Sequence, residues 1–239
     1  MSNRVGLSGT ALKILACLCM MIDHMGVLLF PHAHWMRVVG RLAFPLFAFL
    51  IAEGCRYTRH RLRYWLQVTL LGIVCEAVYM LAGNPYYGNV LLTFSLSIAL
   101  TVLWQHCQET ALVNKRTAAL WFAVFLAAAT GIGYLVERVG IDYGLAGVMT
   151  PVFVAFGHHR NRSVSGWAYG TVARMTWFCV ALIWLVCTNE WPERQLWSLL
   201  AVPLVLLYNG KAGRYRLKYA FYLFYPLHLL VLQGLAMLR

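Results

Sequence analysis

The 239-residue sequence reads as an all-α, polytopic transmembrane helix bundle of about nine helices. Three features carry that reading. Apolar residues make up 61% of the chain and charged residues only 12%, about half the charged share of a soluble domain. Runs of about 20 apolar residues recur from end to end, the length needed to cross a bilayer as a helix. The runs are continuous, whereas a membrane β-barrel would alternate apolar and polar residues along strands of about 10. A soluble enzyme, a disordered chain and a small disulfide scaffold are excluded on the same grounds. Nine Trp and 13 Tyr fit the aromatic belts at the two membrane interfaces.

Nine spans follow in order. The first, 11–30, is apolar but for Lys13 and the pair Asp23-His24. No small-residue cleavage site follows it, so it is expected to be a retained helix rather than a signal peptide. The second, 35–55, contains Pro45, which removes a helical hydrogen bond and is expected to kink it. Spans 64–83 and 117–136 have full length. Spans 90–106, 143–157 and 195–209 are short, as expected of tilted or re-entrant segments or of a locally thin bilayer. Spans 167–187 and 219–238 complete the set, and Gly166-x-x-x-Gly170 marks a close helix crossing. No repeat, linker or low-complexity stretch interrupts them, so residues 1–239 are expected to form one membrane domain. The seven Cys lie nearly all inside apolar runs without metal-type spacing and read as small packing residues. No metal site is expected, His32-x-His34 and His158-His159 included.

The net charge of +12 would suggest nucleic acid in a soluble protein. Sorted by loop, it becomes a topology instead. With nine spans, the side that holds the N-terminus carries 14 Lys and Arg against five on the other, and Arg174 lies inside a span. The positive-inside rule then places the N-terminus in the cytoplasm and the C-terminus outside.

Ionisable residues within spans are costly, and each is a functional-site candidate by default. Asp23, His24, Arg41, Glu76 and His228 all fall between the midplane and the outer face, with Asn89 and Tyr143 at span entrances and Tyr225 beside His228. Neighbours on a helix point about 100° apart, so Asp23 and His24 are expected to reach different partners, Asp23 pairing with Arg41. Glu76 is expected either to pair with an Arg or to serve the site. Arg56, Arg59, Arg61 and Arg63 form a dense basic loop, and Lys211, Arg214, Arg216 and Lys218 a second one on the same face. Either is an ordinary cytoplasmic anchor, or the two clamp a polyanion, since guanidinium forks match phosphate geometry.

These residues carry a resemblance. Met21-Ile22-Asp23-His24-Met25-Gly26 followed by Gly40-Arg41-Leu42-Ala43-Phe44-Pro45 resembles the TraX family of integral membrane proteins. Tyr79-Met80-Leu81-Ala82-Gly83, Gly88-Asn89-Val90-Leu91, Tyr143-Gly144-Leu145-Ala146-Gly147 and Phe224-Tyr225-Pro226-Leu227-His228 extend it. The resemblance implies a membrane N-acetyltransferase of conjugal transfer that acetylates the N-terminus of a pilin, with acetyl-CoA as donor. It places Asp23, His24, Arg41 and His228 in the catalytic centre. Asn89, Tyr143, Tyr225, Glu76, Arg56, Arg59 and Arg63 would hold substrate or donor. Glu53, Glu76 and the Arg56–Arg63 loop depart from the pilin-acetylating plasmid members, which leaves a glycan or lipid acceptor as an alternative. A transporter or proton-coupled carrier is the alternative from another class, and a chaperone of a small membrane protein a third. The expected partners are the lipid bilayer and a pilin or other small membrane protein, with no nucleic acid.

Overall fold

A computed structural model describes residues 6–81, 83, 85, 86, 88–158, 167–189, 191–213 and 218–238, with only the backbone at 167–169 and 218–219. All named elements among them are helices: α1 (Gly9–Leu28), α2 (His34–Gly40), α3 (Ala43–Tyr57), α4 (Arg61–Leu81), α5 (Val90–Ala111), α6 (Lys115–Val139), α7 (Gly144–Phe156), α8 (Trp167–Thr188), α9 (Pro192–Gln195), a 3-10 turn (Leu196–Leu200), α10 (Ala201–Leu206) and α11 (Lys218–Met237). Seven segments are long and apolar enough to cross a membrane, α2 and α3 together counting as one. Each of the nine expected spans holds helix.

The ends are set by local chemistry. Ser8 accepts from the Ala11 amide to start α1, Asn89 from Leu91 to start α5, and Asn114 from Arg116 and Thr117 to start α6. Gly140, left-handed at φ 71°, ends α6. Pro45 does not kink a continuous helix. The chain turns at Arg41 and Leu42, and Pro45 falls in the first turn of α3, where its missing N–H has no helical acceptor.

The residues fall into two compact units, Met1–Leu50 with Val186–Arg239, and Ile51–Leu185. In the first, α1 packs on α2 and α11. The strand-like segment before α1 hydrogen-bonds the one after α10, with Leu7 donating to Leu207 and Asn209 to Leu7. In the second, α5 is central and packs on α4, α6 and α7. Its apolar core holds Leu100, Cys107, Phe125, Val136, Val148 and Val152.

The two short segments run from end to end of their units. In the second unit, Asp142, just before α7, donates to the Gly88 carbonyl beyond the end of α4. His158, just after α7, reaches Glu53 one turn from the end of α3, where α4 begins. In the first unit, Gln195 meets Arg41 at the end of α2, while Leu207 meets Leu7 at the start of α1.

At the α4–α5 turn, Gly88 has φ +66°, and a Cβ there would overlap the Gly140 carbonyl oxygen. Gly88→Ala is therefore expected to lower the thermal unfolding midpoint in detergent, at a cost of about 1–3 kcal/mol from crowding and backbone strain together. An unchanged midpoint would show that the turn relaxes freely.

Candidate functional site

The polar centre of the first unit is built on Asp23. The Nη1 of Arg37 donates to its Oδ2 at 2.6 Å, and the Nη2 of Arg41 to its Oδ1 at 3.4 Å. Arg37 and Arg41 are four residues apart and share one face. Between them stands Gly40, where a Cβ would overlap the Asp23 carboxylate. The glycine is thus the seat into which Asp23 fits, and its two neighbours on that face supply the donors. The expected Asp23–Arg41 pair is present. Arg37, sorted by sequence as a loop charge, is the nearer partner. The other guanidinium arm of Arg41 donates to the Oε1 of Gln195 at 3.4 Å.

The histidines come together on α1 and α11. The Nδ1 of His24 lies 2.8 Å from the Nε2 of His228, and the Nδ1 of His228 lies 2.8 Å from the Phe224 carbonyl oxygen. A carbonyl only accepts, so the Nδ1 of His228 carries a proton. With both rings neutral, its Nε2 is then an acceptor. The Nδ1 of His24 must donate to it, which leaves the Nε2 of His24 with the lone pair. One carbonyl thereby fixes two tautomers. The rings are also held by stacking: Phe224 lies 4.7 Å from the His228 ring at 7°, His24 4.9 Å at 26°, and Tyr225 5.7 Å away edge-on.

Glu76, Asn89 and Tyr143 belong to the second unit. Glu76 accepts from the Gly88 amide at 3.2 Å, from the Asn89 amide at 3.1 Å and from the Asn89 side chain at 2.7 Å. Asn89 also donates to the Gly72 carbonyl at 3.0 Å while its oxygen caps α5. The expectation for Glu76 was an Arg partner or a place in the site. These contacts knot the α4–α5 turn, since the N-cap amide and two backbone N–H groups all donate to the buried carboxylate. Tyr143 takes the left-handed conformation, φ 63°, at the entrance to α7.

The basic loop is divided. Arg59 and Arg63 are exposed. Arg61 pairs with Glu109 at 2.7 Å, and Arg56 lies 3.7 Å from Glu53. Of the second basic cluster, Lys211 is exposed; Arg214, Arg216 and the Lys218 side chain lie outside the described residues. So do His159 and Gly166.

A second buried constellation was not anticipated. The Oε1 of Glu53 accepts from the Nη1 of Arg174 at 2.9 Å and from the Nε2 of His158 at 3.1 Å. Arg174 is held further by the Gly170 carbonyl and Thr171. A Cβ on Gly157 would press on the Arg174 backbone, so that glycine lets the end of α7 close onto α8. Burial pulls the His158 imidazole below its usual range, against the upward pull of the Glu53 carboxylate. The sequence signal was two opposite charges, Glu53 and Arg174, each inside an apolar run.

The sequence model of the TraX protein family matches residues 8–236. The chain is 29% identical over 252 residues to "Probable fimbrial assembly protein FimC, serogroup H1" of Dichelobacter nodosus, covering 97% of each. It is 33% identical over 148 residues to "Protein TraX" of Escherichia coli, covering 58% of this chain and 51% of that protein. The K12 strain's "Protein TraX" is 32% identical over 142 residues, covering 58% and 51%. Those matches span about half the length of the two TraX proteins. No solved structure matches the chain.

Two stability outcomes follow. Glu53→Ala leaves Arg174 buried without its carboxylate, with an expected loss of about 3–5 kcal/mol; a midpoint within error of the parent would show that water replaces the partner. For His158 the sign is set by its lowered pKa. The unfolded chain binds the proton first, so the stability carried by the neutral ring is whole above about pH 6.5 and is lost as pH falls. The unfolding midpoint of His158→Asn should therefore fall less than the parent's between about pH 7 and 5.

Proposed function

The chain belongs to the TraX family, and from that membership together with the fixed histidine pair we propose that it is an integral membrane acetyltransferase. It moves an acetyl group from cytoplasmic acetyl-CoA to an acceptor amine, the N-terminus of a pilin subunit. The pilin acceptor draws support from the fimbrial-assembly relative that it matches over 97% of both chains. The observation that carries the reading is the relay from the Phe224 carbonyl through His228 to His24, which leaves the His24 Nε2 as an unprotonated base.

The roles follow from the geometry. His24 takes a proton from the attacking ammonium or amine. His228 positions it by fixing its tautomer. Arg41, aimed by Asp23, offers a fixed positive charge to the acyl oxygen as charge develops there. The exposed Arg59 and Arg63, with Arg56, are cationic forks of the kind that bind phosphate. A base with a fixed tautomer beside α11 and a fixed guanidinium on the same unit suit the thioester of acetyl-CoA. The excess of Lys and Arg on alternate loops supports a cytoplasmic side for the basic loop, where acetyl-CoA is made. The host is the bacterial inner membrane.

The test is transfer of labelled acetyl from acetyl-CoA to a pilin N-terminal peptide by the full chain purified in detergent. His24→Ala is expected to lose about 100-fold or more in kcat, the scale of a general base, with binding of CoA retained. His228→Ala should lose less, since His24 keeps its lone pair in one of its two tautomers. Full activity in His24→Ala would remove it from the mechanism, and absence of transfer by the parent protein would remove the activity.

A further inference from the structure

The segment 192–206 carries a polar face where a lipid-immersed helix would carry none. Gln195 and Ser198 are 1% and 0% exposed, whereas Leu196, Trp197 and Leu200 between and after them are exposed. Exposed Leu and Trp side chains thus flank a buried face that carries two polar ones, Gln195 and Ser198. The 3-10 form of Leu196–Leu200 explains the alignment, because residues three apart eclipse in that helix. Gln195, Ser198 and Ala201 accordingly share the buried face.

The chemistry of that face is one-sided. Arg41 is only a donor, so the Gln195 atom facing it is the oxygen. That orientation turns the Gln195 NH2 away from Arg41. The Nε2 of Gln195 and the hydroxyl of Ser198 are both buried, and neither has a hydrogen-bond partner among the described residues. The helical hydroxyls of Ser97, Thr150 and Thr176 are satisfied on a carbonyl one turn back, whereas those of Thr101 and Ser198 are not. A buried donor without an acceptor costs about 1–3 kcal/mol, and such a group calls for an explanation. Here the donors are an amide NH2 and a hydroxyl, next to a guanidinium already committed to Asp23. What satisfies them is an acceptor oxygen, and one that gains negative charge is favoured most.

We propose that Gln195 and Ser198, with Arg41, form the site that holds the acyl carbonyl oxygen. The proposal rests on the acetyltransferase reading above and adds two residues that it did not contain. In the step they serve, the acceptor amine nitrogen attacks the carbonyl carbon. The carbonyl π pair moves onto oxygen, where the NH2 of Gln195, the hydroxyl of Ser198 and the guanidinium of Arg41 receive it. The amine proton passes to the His24 Nε2. The pair returns to re-form the carbonyl, the carbon–sulfur bond breaks, and the departing thiolate takes the proton back from His24. Amine and thioester become amide and thiol, with no other reactant.

The test uses two unreactive CoA derivatives on the full chain in detergent: S-ethyl-CoA, which lacks the carbonyl, and the ketone in which a methylene replaces the thioester sulfur. The parent protein is expected to prefer the ketone by about tenfold or more, the worth of one or two good hydrogen bonds. Gln195→Met, which keeps length and loses the donors, should bind both about equally while holding S-ethyl-CoA as the parent does. Its kcat for acetyl transfer should fall by about 100-fold with KM nearly unchanged, the behaviour of a lost oxyanion donor. Ser198→Ala should show the same pattern more weakly and decides the matter if the Met variant fails to fold. A ketone preference that survives both substitutions overturns the assignment, as does a parent protein that binds the two derivatives equally. A parent protein that binds neither and transfers no acetyl group fails at the acetyltransferase reading itself, a distinct result.

Discussion

Hydrocarbon offers no hydrogen bonds, so every buried charge in this chain depends on donors that the chain itself supplies. Asp23 shows how demanding that is. Its carboxylate needs both Arg37 and Arg41 on one face of α2, and it needs Gly40 between them to have no side chain. Three residues of α2 are thus determined by one residue of α1. Glu53 meets the same demand with Arg174 and His158, and Glu76 takes three amide donors from the α4–α5 turn. Three acids, three solutions, and in each the acid ties together helices that the apolar side chains alone would let slide.

Much of this was legible beforehand. Continuous apolar runs located all nine helical segments, because the bilayer imposes a length that composition reveals directly. Asp23, His24, Arg41 and His228 stood out because a charge or imidazole inside such a run has few ordinary explanations. Their pairing was harder. Arg37 lay near a span end and was counted as a loop charge, yet its long side chain reaches back to Asp23. Gln195 and Ser198 raised no signal, since neither is charged and the 3-10 geometry that aligns them is not visible as a periodicity. The order Phe224, His228, His24 was also hidden. It depends on which ring nitrogen faces which atom, a matter of side-chain direction that no spacing encodes.

The two polar clusters differ in what they leave over. Around Arg41 the surplus is of donors, in the Gln195 amide and the Ser198 hydroxyl. Around Glu53 it is of acceptors, in the second carboxylate oxygen and the Nδ1 of His158, whose other nitrogen must donate to the carboxylate. Donor surplus suits an oxygen that becomes anionic, and acceptor surplus does not. The Glu53 cluster therefore reads as a brace between α3, the end of α7 and α8. The proposed chemistry rests on Asp23 and the histidines instead.

The shortness of α7 bears on distance. Thirteen residues rise about 20 Å, against a hydrocarbon core of about 30 Å, and the segment 192–206 is of similar reach. Neither element is long enough to cross a bilayer unaided, unlike the seven long apolar segments. Each depends on the longer helices of its own unit to cover its ends, which is why both ends of each are tied to them by hydrogen bonds.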